Sequence, residues 1–100
     1  SVPADVNPST GDVNYNGNVV IAGSVHSGFK VEATGDIEVQ GVVEGATLIA
    51  GGNIVLKRGI QGMGKGVLQA GNDIITKFIE SSNVKAGNGE KSCRGLLLRV

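Results

Sequence analysis

Aromatic residues are scarce in this chain of 100 residues: Tyr15, Phe29 and Phe78 are the only three, and there is no Trp. A core must then come from Val, Ile, Leu and Ala, which suits thin, repetitive packing better than a globular centre built on large rings. Proline occurs only at Pro3 and Pro8. Cys93 stands alone, which excludes an internal disulfide framework and leaves the redox compartment open. Neither sign of charge is in excess, nine acidic against nine basic residues, so the basic footprint of a nucleic-acid binder is missing. No apolar run comes near the roughly 20 residues that a helical membrane span needs. No secretory signal is visible, and the chain starts at Ser1 without Met, which reads as a fragment or a processed form. One domain at most fits this length.

What the chain has instead is glycine, at 17 positions, well above the usual share of about 7%. So much Gly, with almost no Pro and no strict triplet, points to tight turns between short strands. The turns recur. Gly17-Asn18-Val19, Gly35-Asp36-Ile37, Gly52-Asn53-Ile54 and Asn72-Asp73-Ile74 repeat one phrase, and its aliphatic residue returns after 18, 17 and 20 positions. Ala33, Ala50, Ala70 and Ala86 form a second column, with Val31, Leu48, Leu68 and Val84 two residues earlier. A third column is Val25, Val43, Ile60 and Ile79, each followed by a polar residue: His26, Glu44, Gln61 and Glu80.

Within each copy the spacing is about six, as in Val19, Val25, Val31, Ile37 and Val43. Hexads such as Val31-x-Ala33-x-Gly35 and Ile37-x-Val39-x-Gly41 alternate in and out with the period of a strand. The glycine that follows is expected to supply the unusual backbone angle of a corner. Three short strands and three corners close one coil, and coils stacked about 4.8 Å apart turn each aliphatic column into an internal ladder. The expected fold is all-β, a right-handed parallel β-helix of about four coils of 16–20 residues. Right-handedness follows from the crossover rule. The left-handed hexapeptide acyltransferase helices share the 18-residue coil, but their hexad wants a small residue where Glu32 and Glu38 stand here. The expected organisation is a lead-in over 1–16 that caps the first coil, the β-helix over 17–88, and a tail over 89–100 in which no column continues.

The run from Gly11 to Asn88 resembles the β-helical domain of the flagellar assembly protein A family. The markers are Gly35-Asp36-Ile37-x-Val39-x-Gly41-x-Val43-Glu44, Gly59-Ile60-x-Gly62 and Lys77-Phe78-Ile79-Glu80. The resemblance implies a right-handed β-helix in a cytoplasmic bacterial protein linked to flagellar assembly or cell organisation. The architecture is also similar to that of the bactofilins, which polymerise through their open coils. No catalytic residue carries over from the family.

Several stretches invite a chemical reading. Gly59 to Gly66, GIQGMGKG, fits the glycine and lysine positions of a phosphate loop, but Gly66 stands where Ser or Thr would hold magnesium. Such a loop needs a helix after it, and Val67-Leu68-Gln69-Ala70 reads as a strand. The plainer reading is a corner with two or three extra residues. His26, the only histidine, would be the base of an acyltransferase; in column with Glu44, Gln61 and Glu80 it reads as one outward polar rung. Glu44 and Glu80 stand two coils apart, roughly 10 Å, on a flat face that makes a poor glycosidase pocket. Lys57 and Arg58 are the only adjacent basic pair. Asn18, Asp36, Asn53 and Asp73 contribute one residue per coil and do not cluster as a metal site would.

No catalytic, cofactor-binding or metal-ligating residue is therefore assigned. The expected role is a non-catalytic interaction module that binds protein partners or associates with itself through its coil ends, which expose unpaired backbone groups unless capped. A self-polymerising scaffold and a β-helical acyltransferase are the two alternatives.

Overall fold

A computed structural model describes residues 11–77, 79–87 and 93–94 of the chain. Among the described residues the elements are all strands: β1 (Val13–Tyr15), β2 (Val19–Ile21), β3 (Lys30–Ala33), β4 (Ile37–Val39), β5 (Val42–Glu44), β6 (Thr47–Ala50), β7 (Ile54–Leu56), β8 (Gly59–Ala70), β9 (Ile74–Thr76), β10 (Ile79–Ala86) and β11 (Cys93–Arg94). All the pairings are parallel, and each joins a strand to its counterpart one coil away. The molecule is a β-solenoid of about four coils.

Three walls enclose the core. The first stacks β2, β4, β7, β9 and β11, and its register aligns Val19, Ile37, Ile54 and Ile74. The second stacks β1, β3, β6, the later part of β8 and the later part of β10; it aligns Val13, Val31, Leu48, Leu68 and Val84. The third joins Val25, β5 and the starts of β8 and β10, aligning Val25, Val43, Ile60 and Ile79. These are the three columns expected from the repeat. Their central members are buried, with Ile37, Leu48, Ile54, Ile60, Leu68 and Ile74 at 0% exposure. Burying one such side chain contributes roughly 1.5–3 kcal/mol, so three ladders of aliphatics hold the coils together without large rings.

Pairing runs past both ends of the 17–88 span. Val13–Tyr15 pairs with Val31–Ala33, four residues ahead of the expected start. Cys93–Arg94 pairs with Ile74–Ile75 inside the segment expected to lie off the pattern, so the first wall gains one more rung there. Pro3 and Pro8, the expected capping contacts of residues 1–10, Phe78 and the Leu96–Leu98 run lie outside the described residues.

The corner between the second and first walls is built by a relay. Asn18 Oδ1 accepts a hydrogen bond from Asp36 N (2.8 Å), Asp36 Oδ1 from Asn53 N (2.8 Å), and Asn53 Oδ1 from Asp73 N (3.0 Å). Each side chain thus binds the backbone of the next coil. Asn and Asp interchange because only the acceptor oxygen is used. The glycines at this corner act differently from expectation. Gly35, Gly51, Gly52 and Gly71 lie outside the left-handed region, and of the described glycines at this corner only Gly17 and Gly87, in the first and last described coils, take positive φ. What the repeat glycines provide is closeness. A Cβ on Gly71 would collide with the Gly51 carbonyl oxygen one coil below, and one on Gly51 with that of Thr34.

Candidate protein-binding surface

The inward ladders leave outward columns on all three walls. On the second wall one aligns Asn14, Glu32, Ile49, Gln69 and Lys85 and another Lys30, Thr47, Val67 and Asn83, both mostly polar. On the third wall Glu44, Gln61 and Glu80 align, with His26 beside Glu44. His26 Nδ1 lies 3.5 Å from Glu44 Oε1, with the side chains 40% and 39% exposed. A pair this exposed is screened and contributes about 0–1 kcal/mol. It is a solvated rung tied to its neighbour. Glu44 and Glu80 are separated by Gln61 in the register, two coils apart as the repeat implies.

The first wall differs. Its outward residues in register are Val20, Glu38, Val55 and Ile75. Val20 and Ile75 are 37% and 42% exposed, large values for β-branched side chains on a sheet. Beside this stripe runs a basic edge. Gln40, Lys57 and Lys77 each follow the inward aliphatic residue of β4, β7 and β9 by three positions. Backbone bonds from Gln40 N to Ile21 O and from Lys57 N to Val39 O, both 2.9 Å, keep these corner residues in step with the coils. Gln40, Val42, Lys57, Arg58, Gln61 and Lys77 line one open groove at the corner between the first and third walls. Three cations converge there, and among the described residues no carboxylate lines it.

Lys57 and Arg58 are thus part of a larger constellation, which the sequence reading missed because it counted only adjacent charges. The usable signal was positional: Val55 and Lys57, then Ile75 and Lys77, repeat one apolar–basic pair at the same place in successive coils.

The phosphate-loop stretch lies within β8. Residues 59–61 pair with β5 and residues 67–70 with β6, so residues 62–66 replace the two residues 45–46 of the coil below. The chain reverses where Met63 and Gly64 take consecutive positive φ values of 54° and 78°, as a type I′ turn requires. A Cβ on Gly66 would lie 2.8 Å from Gly62 Cα, so the neck of the excursion is closed by two glycines. A strand follows and no helix, so no helix N-terminus faces an anion. The stretch is a widened corner, as its sequence context implied. Among the described residues no three His, Cys, Asp or Glu side chains gather as metal ligands, and no helix is long and apolar enough to cross a membrane.

Stacked parallel rungs, aliphatic inside and closed by glycine corners, place the chain among the β-solenoids. The chain belongs to the family of the Flagellar Assembly Protein A beta solenoid domain, whose model matches residues 1–95. That match runs into the tail segment that the resemblance had left out. No curated protein and no solved structure matches the chain. Its family ties it to flagellar assembly.

Proposed function

We propose that this chain is a non-catalytic scaffold module of a cytoplasmic protein, and that it serves flagellar assembly by docking a protein partner on an outer wall. The observation that supports this reading is the first wall: Val20, Val55 and Ile75 face outward in register beside a basic edge. A wall serving only as a solvated surface needs polar residues at those positions, and the other two walls largely have them.

The experiment is complementation of flagellar assembly in cells lacking the protein. Full-length protein carrying His26→Ala should restore assembly to the wild-type level, and Ile75→Asp should not, although both accumulate as folded protein. The opposite result, loss with His26→Ala and none with Ile75→Asp, would overturn the reading in favour of acyl-transfer chemistry at the third wall.

A further inference from the structure

The first wall has a chemistry specific enough to say what docks on it. We infer that it binds an acidic amphipathic α-helix of a protein partner, laid along the solenoid axis with its apolar face on Val20, Val55 and Ile75 and its carboxylates over Lys57, Arg58 and Lys77. This inference rests on the reading of the module as a protein-docking scaffold and names the occupant of that wall.

Two dimensions support a helix. Successive coils present the same side chain about every 4.8 Å, and a helix repeats one face about every 5.4 Å. An extended peptide would repeat its face about every 6.6–6.8 Å and fall out of step within two coils. The stripe from Val20 to Ile75 spans three coil steps, roughly 14 Å, which about ten residues of helix cover. On β7 and β9 the outward apolar residue, Val55 or Ile75, is followed two positions on by a lysine, a step of about 6.6 Å at strand rise. An amphipathic helix of about 10 Å diameter therefore reaches both stripes at once.

Charge sets the sign and the placement. The groove holds three cations, so it favours carboxylates on the partner. Glu38 sits on the wall one coil before Val55, so the partner's acidic residues belong over the Lys57–Lys77 half and not over the β4 rung. That asymmetry fixes which half of the partner helix carries the carboxylates. Nucleic acid is disfavoured because among the described residues no aromatic side chain lines the groove to stack a base, and because the chain carries no net charge. An anionic membrane surface usually calls for a cluster of four to eight cations, more than the three that line this groove among the described residues.

The test is fluorescence anisotropy on the full chain with a labelled helical peptide carrying Leu at i, i+4 spacing and Glu flanking that face. The control peptide has Lys in place of every Glu. Wild type should prefer the Glu peptide by about tenfold or more. A Lys57→Glu/Lys77→Glu variant should reverse the preference, Ile75→Asp should weaken both peptides, and Lys85→Glu on the second wall should leave the preference unchanged. These are surface positions, and circular dichroism verifies that each variant folds. Equal binding of the two peptides, binding of neither, or a preference that survives the double reversal would overturn the inference. So would tighter binding of phosphatidylserine vesicles or single-stranded DNA through the same lysines. If the peptides fail while Ile75→Asp still abolishes flagellar assembly, the helix is wrong and the docking wall stands; dependence of assembly on His26 defeats the docking reading itself.

Discussion

Two corners of the same coil treat insertion in opposite ways. The corner carrying Asn18, Asp36, Asn53 and Asp73 keeps its form in every described coil, whereas the corner at Gly45–Ala46 swells in the next coil to residues 62–66. The first is tied at three points per coil: a side-chain oxygen takes the next coil's amide, the backbone bonds directly, as from Gly52 N to Gly35 O (2.9 Å), and glycine sits where no Cβ fits. An added residue there would break all three ties. The second corner turns by left-handed backbone, as at Gly45 with φ of 33°, and points its extra residues into solvent, with Met63 58% exposed. Length there costs only loop entropy, which grows slowly with residue number.

The contrast can be broken in order of severity. Gly71→Ala at the tight corner forces a methyl group against the Gly51 carbonyl, so the backbones of two coils must separate. Denaturant unfolding should show a loss of about 3 kcal/mol or more, in the range kept for strained or overpacked sites. Asp36→Ala removes the acceptor of the Asn53 amide and should cost about 1 kcal/mol, because the group is exposed and water partly replaces the bond. Asp36→Asn keeps the acceptor and should stay within about 0.5 kcal/mol of wild type. A larger loss for Asn would mean that charge, and not geometry, holds the relay. At the permissive corner, deleting Met63, Gly64 and Lys65 should change stability by less than about 1 kcal/mol. Met63→Asn should raise the thermal midpoint slightly, since Asn tolerates the left-handed φ of 54° better than Met.

The interior was legible because a solenoid writes it once per coil. Val31, Leu48, Leu68 and Val84 are found by subtraction of residue numbers, and the structure places them opposite one another. The corner glycines were legible as glycines but not as to cause, since a left-handed φ and a missing Cβ select the same residue; only the structure shows that Gly71 serves the second need. The outward columns were harder. Their residues vary from rung to rung, and the widened corner moves Lys77 twenty positions beyond Lys57 where the preceding step from Gln40 is seventeen. An eye set to a constant period passes over that alignment. The apolar stripe was hidden for a related reason: Val20, Val55 and Ile75 each follow an inward aliphatic residue, so the pairs read as ordinary strand cores.

The Asn/Asp relay also gives the stack a polarity. At every step the oxygen belongs to the earlier coil and the amide to the later one. The two ends of the solenoid are therefore chemically unlike, as the ends of a helix are. A coil added after the last must bring an amide, and one added before the first must bring an oxygen. Growth by this rule is head to tail, with two copies that meet by like ends unable to continue the relay across their junction.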